Sequence, residues 1–493
     1  GATIGCVARS GAPIHFQIST QICETPADLP RTCAESAWPV WRELSPDPRA
    51  LLGIPAETFA AHAEDLEALI ARRVERLGPG LGLFYDRPLH LVRGEGVWLI
   101  DASGRAFLDA YNNVPQVGHC HPHVVAALSR QAATLNTNTR YVYESVIEYA
   151  DRLTRSMPRE LSVCMFVCSG SEANDLAWRL AKAHTGHTGG LTMSDAYHGT
   201  TDAVTQLSPS GLRPGEKPAP HIEGVIAPNG YRGPHRRSDP RYAERYADAI
   251  DASIAALRER GHAPAAFYLD LILCSSGILV PPPGYLRAAF AKVRAAGGLC
   301  VADEVQSGFG RTGDHFWGFD AHGVVPDIVT LGKPIGNGYS MAAVVTRPEI
   351  VRSLVGHGQF FSTTGGNPVA CEVGLAVLDV LEREQLQRNA QRVGAQLRAG
   401  LERLATRHAL IGDVRGAGLF VGVELVRDRT TLEPAARETR EVVNCMRDDG
   451  VLIGIEGALR NILKIRPPLV FSEANADQLL AALDGALAAV EEG

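Results

Sequence analysis

The sequence predicts an α/β fold, with a large domain built on a mostly parallel sheet and a smaller α+β domain at the C-terminus. Between about residues 120 and 345, helical segments alternate with short apolar runs at 163–167, 267–273, 299–302, 328–331 and 342–345. Strands separated by helices read as a mostly parallel sheet covered on both faces. From 367 the pattern changes to a long helical stretch (367–407), a strand-like stretch (411–426) and a closing amphipathic helix (474–492). The 493 residues, 45% apolar and 21% charged, suffice for a large buried core and exclude a mainly disordered chain.

The first forty residues differ from the rest. Their Gly-punctuated alternation reads as strands, followed by a Pro/Thr/Ala-rich linker. Residues 41–77 read as helical. A hairpin follows, in which 97–100 and 106–108 flank the turn Asp101-Ala102-Ser103-Gly104. We divide the chain into residues 1–40, an N-terminal segment 41–115, a large domain 116–366 and a small domain 367–493. Lys and Arg number 48 against 55 Asp and Glu, a formal charge of −7 that is too mild and of the wrong sign for a nucleic-acid or anionic-membrane footprint. No apolar run approaches a membrane span, and no signal-like leader stands at the start, so a cytoplasmic location is expected. Ten cysteines lie scattered with no CxxC pair, so no metal site is expected.

Three local features stand where predicted strands end, the edge at which open α/β sheets bind ligands. Ser169-Gly170-Ser171-Glu172 follows the first strand and opens a helix, so its free amides and dipole suit a phosphate; the same residues also read as an ordinary cap. Asp303 ends an apolar strand, where an unpaired carboxylate is costly to bury. Lys333 follows another strand among glycines that permit close approach of a ligand, and a lysine in a dry site becomes an amine nucleophile. A phosphate cradle, a buried carboxylate and a reactive lysine together are what pyridoxal 5'-phosphate requires.

At this point the sequence resembles the class III (subgroup II) aminotransferases of the fold-type I pyridoxal-phosphate enzymes, from about residue 81 to 487. The resemblance is carried by Gly118-His119-Cys120-His121-Pro122, by 169–174, by Ala196-Tyr197-His198-Gly199, by 302–313 and 330–338, by 362–368 and by Pro467-Pro468-Leu469. It implies that Lys333 forms the aldimine and then moves the proton at the substrate carbon, that Asp303 pairs with the pyridinium, and that Gln306 meets the ring hydroxyl. It further implies that Tyr197 stacks on the ring with His198 beside it, that Ser169, Gly170 and Ser171 hold the phosphate, and that Thr363 reaches the phosphate from a neighbouring subunit. A homodimer with shared sites follows.

Two motifs compete with this reading. Gly308-Phe309-Gly310-Arg311-Thr312-Gly313 satisfies GxGxxG, but no amphipathic helix follows to face a pyrophosphate. His119, His121 and His123 alternate like metal ligands, but Pro122 breaks the strand geometry, so loop packing is expected. The N-terminal fringe, 4–17, resembles the last strands of lysostaphin-type metallopeptidases. Pro13 stands where a ligand histidine would, so a metal-free structural remnant is implied.

The chain departs from the family pattern at the substrate. After the strand near 267 it reads Leu269-Asp270-Leu271-Ile272-Leu273-Cys274-Ser275, lacking the usual Gln and the second Glu that acts as a switch. Three residues before the Pro-Pro pair stands Lys464 rather than the carboxylate-binding Arg. With Tyr111 and Asn113, this resembles the ethanolamine-phosphate phospho-lyase branch. We therefore expect a small amine or amino acid substrate whose anionic group meets Lys464, and a lyase-type elimination through a quinonoid carbanion. Ordinary transamination, carbon–carbon bond formation and a non-catalytic binding module are the alternatives.

Overall fold

The computed structural model describes residues 65–493 apart from 214, 357 and 359, so the expectations for residues 1–64 lie outside the described residues. The chain divides into two compact units, one ending at Gly82 and one beginning at Leu83. In the first, the helix Leu66–Leu77 starts at Asp65, whose carboxylate accepts the Glu67 amide at 3.1 Å, as a helix N-cap does.

The second unit opens with β1 (Leu91–Glu95), β2 (Trp98–Asp101) and β3 (Ala106–Asp109), an antiparallel meander whose predicted turn is present. Asp101 Oδ1 accepts the amides of Ser103 and Arg105 at 2.9 and 3.0 Å, and Gly104 takes the positive φ that this turn needs.

The expected parallel-rich sheet has seven strands: β4 (Val163–Val167), β5 (Gly189–Met193), β6 (Ile222–Val225), β7 (Pro264–Asp270), β8 (Leu299–Asp303), β9 (Ile328–Leu331) and β10 (Ala342–Thr346). Their spatial order is β4-β10-β9-β8-β7-β5-β6, with β10 alone antiparallel to its neighbours. The C-terminal ends of the other six therefore share one edge. Residues of β8 to β10 are buried almost throughout, the signature of strands covered on both faces.

Strands β5 and β6 were not legible from the apolar pattern, because Gly189 and Gly190 dilute one and Glu223-Gly224 the other. Gly189 is required by packing: a Cβ there would lie 2.7 Å from the Ala263 carbonyl oxygen. The strand read over 267–273 instead spans Pro264–Asp270. Asp270 turns the chain by accepting the amides of Ile272 and Cys274 at 3.1 and 2.8 Å.

In the small domain the single helical stretch is two helices, Pro368–Arg383 and Leu386–Arg407, broken at Gln385 with φ +54°. The single strand read over 411–426 is a hairpin, β11 (Ile411–Ala417) and β12 (Phe420–Asp428), turned at Gly418. With β13 (Glu433–Pro434), β15 (Gly454–Glu456) and β16 (Ile462–Ile465) they form a second sheet, while β14 (Val451–Leu452) pairs in parallel with β3. The closing helix, Glu473–Glu492, carries a capping box between Ser472 and Asn475. Among the described residues no helix is long and apolar enough to cross a membrane.

Candidate active site

The shared edge of the parallel strands holds a cavity of about 110 Å³ lined by Gly170, Ser171, Tyr197, His198, Gly199, Asp270, Asp303, Val305, Gln306 and Lys333. The topology thus gathers into one cleft seven of the residues read from the sequence. Ser169 stands at its margin as the N-cap of the helix Gly170–Thr185, its Oγ accepting the Glu172 amide at 3.2 Å. The cap and cradle readings of this motif are therefore compatible. Ser169 closes the helix end, while the first-turn amides at Gly170 and Ser171 have no intrahelical acceptor and face the cleft. Gly199 is required here, since a Cβ would lie 2.6 Å from Ser171 Oγ.

Asp303 is buried at the end of β8. Its Oδ2 lies 2.7 Å from His198 Nδ1 and accepts Asn174 Nδ2 at 3.0 Å, while Oδ1 accepts the Val305 amide at 3.1 Å. Asn174 had no assigned role in the sequence reading beyond its place in the 169–174 motif. It also donates to His198 O at 2.8 Å and accepts Thr330 Oγ1 at 2.8 Å, and its carbonyl accepts the Tyr268 hydroxyl at 2.9 Å. The signal was a polar residue on the apolar face made by Ala173, Leu176 and Ala177, where burial demands partners.

Lys333 follows β9 and makes no hydrogen bond or ion pair with the described residues. Burial lowers its pKa, and the neighbouring Arg466 lowers it further against the opposing pull of Asp303. Its amine is thus held closer to the neutral, nucleophilic form. Burial likewise raises the Asp270 carboxyl, and the nearby Asp303 adds to this.

The substrate candidates lie on the small-domain side. Lys464 on β16 is buried and ion-paired with Glu456 on β15, whose Oε2 also accepts the Cys274 thiol at 3.3 Å. Tyr111 is half-buried, with Phe84 edge-on at 4.9 Å and Lys464 Nζ 5.8 Å from its ring centre. Asn113 is fully buried, and neither polar atom of its side chain has a partner among the described residues. Thr363 is exposed and does not line this chain's own cleft. Glu456 was not anticipated; it sits outside every motif.

The competing motifs resolve as structure. Within 308–313, Arg311 is fully buried and donates to Leu419 O at 3.1 Å and Gln116 Oε1 at 2.6 Å, and Gly313 abuts the Gln391 backbone. That turn joins the two domains. His119, His121 and His123 pair separately with Asp109, Glu384 and Asp379 at 2.6, 2.9 and 3.2 Å, and no group that could hold a metal occurs among the described residues.

Pyridoxal 5'-phosphate fits this donor set. The helix start and Ser171 suit its phosphate, Asp303 its ring nitrogen, Lys333 its aldehyde, and His198 Nε2 is buried without a protein partner. A family model described as aminotransferase class-III matches residues 85–487. An alanine–glyoxylate aminotransferase 2-like protein of Drosophila melanogaster is 42% identical over 85% of this chain and 87% of its own. An ethanolamine-phosphate phospho-lyase homolog of Caenorhabditis elegans is 37% identical over 88% and 96%. Among solved structures, a phospholyase from Arthrobacter in complex with phosphoethanolamine is 42% identical with a TM-score of 0.82, over 85% of this chain and 99% of that one.

Proposed function

The chain belongs to the class III aminotransferases, enzymes of fold-type I that depend on pyridoxal 5'-phosphate, and on that premise we propose that it is a lyase that eliminates phosphate from a short phosphorylated amine such as phosphoethanolamine. The observation that carries this reading is the buried basic pair Lys464 and Arg466, with Arg466 donating to Gln306, which lines the cleft. An anion leaving from the carbon next to the amine-bearing one is met there by positive charge.

When bound, the cofactor supplies an electron sink for the bond broken at the amine-bearing carbon. Asp303, fixed by His198, Asn174 and the Val305 amide, would hold negative charge at the ring nitrogen. Gly170 and Ser171 bind the phosphate end. Tyr197, which lines the cleft, would stack on the cofactor ring. Lys333 Nζ, biased toward the neutral amine, removes the proton from the substrate carbon. The electron pair of that C–H bond becomes the new C=C bond, and the phosphate departs with the electrons of its C–O bond. The enamine left behind hydrolyses to aldehyde and ammonia, and no keto acid is consumed.

We place Tyr111 and Asn113 against the substrate, Asn113 because its buried amide has no other partner. A homodimer completes the site through Thr363. This is supported by the exposure of Thr363 beside exposed Tyr141, Val142 and Phe361, with Arg140 over the Phe361 ring at 3.9 Å. The test is catalytic release of inorganic phosphate from phosphoethanolamine without any keto acid. Release that depends on pyruvate or another acceptor would favour transamination.

A further inference from the structure

Lys464 and Arg466 differ in how their charges are met. Lys464 is matched by Glu456, its diagonal neighbour across the β15–β16 pair, in which Gly454 stands opposite Lys464 and Glu456 opposite Ile462. Gly454 leaves the intervening place to the Tyr111 ring, since a Cβ there would lie 2.3 Å from Tyr111 Cε2. Lys464 and Glu456 together carry no net charge.

Arg466, just past the end of β16, is 4% exposed and has no carboxylate within ion-pair distance among the described residues. Among the described residues its one side-chain hydrogen bond runs from Nη1 to Gln306 Oε1, and the buried Nε has no partner. Its guanidinium carbon lies 5.2 Å from the Phe420 ring centre and 5.8 Å from that of Tyr111. A guanidinium does not shed its proton, and a buried charge without a counter-ion is strongly unfavourable. The edge with no hydrogen bond among the described residues, Nε with Nη2, is the one that grips a carboxylate or phosphate through two parallel N–H bonds.

We propose that Arg466 rather than Lys464 fixes the anionic group of the substrate, a phosphate monoester, through its Nε–Nη2 edge, and that Glu456 keeps the Lys464 charge internally satisfied. The basic pair then offers one net positive charge, placed beside the Gln306 that faces the cofactor. This rests on the lyase reading above and names the residue that selects its substrate.

The probe is inorganic phosphate, titrated calorimetrically in phosphate-free buffer into holoenzyme whose cradle is filled by the cofactor. Arg466→Gln is expected to weaken phosphate binding by at least about tenfold, the loss of a charge-assisted bidentate contact. The paired replacement Lys464→Met with Glu456→Gln, which leaves the net charge unchanged, is expected to stay within about threefold. Loss of binding in the paired variant comparable to that in Arg466→Gln, or undiminished binding in Arg466→Gln, overturns the proposal. Should Arg466→Gln not load cofactor, Arg466→Lys replaces it, with a weakening of about three- to tenfold expected and unchanged affinity overturning it. Wild-type enzyme that neither binds phosphate nor releases it from a phosphorylated amine refutes the lyase reading and this inference together. Release with undiminished binding in Arg466→Gln refutes the inference alone.

Discussion

Replacing Asn174 by alanine tests whether the buried network around Asp303 is a cooperating unit. The side chain makes three hydrogen bonds: to His198 O, to the Asp303 carboxylate and from the Thr330 hydroxyl. A neutral bond contributes about 1 kcal/mol and one to a charged group about 1.5–3, with more lost where a buried partner is left unsatisfied. All three partners are buried, so Asn174→Ala should destabilise the protein by about 3–5 kcal/mol. Thr330→Val removes one bond and should cost about 1 kcal/mol. In the double variant the stranded Thr330 hydroxyl is gone, so the combined loss should fall short of the sum by about 1 kcal/mol. Urea unfolding of holoenzyme at fixed protein concentration, followed by near-ultraviolet circular dichroism, measures each value. A loss below about 1 kcal/mol in Asn174→Ala, or strict additivity, would refute the argument that Asn174 organises the carboxylate.

Asp303→Asn should leave the fold largely intact and reduce turnover by on the order of 10²-fold or more with little change in substrate binding; unchanged turnover in steady-state assays would show that the ring nitrogen needs no negative partner. Glu304 is fully buried, and burial raises its pKa from 4.5 to about 7 against the opposing bond from Ser307. Because the folded state holds this proton more tightly, stability is greatest below pH 4.5 and declines as pH rises toward 7, by at most about 3 kcal/mol for that shift. Glu304→Gln should flatten that part of the denaturation profile, and an unchanged slope would contradict it. His408 lies between Asp484 and Glu491 at 2.7 Å each; burial alone would lower its pKa, but those two hydrogen bonds outweigh burial and raise it. Its contribution is full below the unfolded value of about 6.5 and fades as pH rises through the raised folded value. Protection of the amides in the helix Glu473–Glu492, corrected for intrinsic exchange, should fall across that range in the wild type and stay level in His408→Gln; equal falls in both would contradict it.

What was legible in the sequence follows from which physical signals are local. Val163–Val167 is a continuous apolar run and Ile328–Leu331 one interrupted only by Thr330; both are bounded by breakers, and both are strands at those positions. Strands β5 and β6 escaped because Gly189 and Gly190 in one, and Glu223 and Gly224 in the other, erase hydrophobic periodicity. The joined reading of 411–426 passed over a local signal, Gly416-Ala417-Gly418, whose two glycines take positive φ where the chain turns back. In the site, residues adjoining strand ends were recoverable as motifs. Glu456 was not, since its role exists only through strand pairing with Lys464. Arg466 stood in plain view beside Lys464, but its lack of a counter-ion is a property of the folded surroundings.

Elimination and amino-group transfer leave the cofactor in different forms. Mixing holoenzyme with one equivalent of the phosphorylated amine per site, with no keto acid present, and quantifying the cofactor after quenching distinguishes them directly. Elimination predicts one phosphate released per site with the cofactor recovered as pyridoxal 5'-phosphate. Stoichiometric pyridoxamine phosphate, restored by pyruvate or 2-oxoglutarate over many turnovers, would show an ordinary aminotransferase.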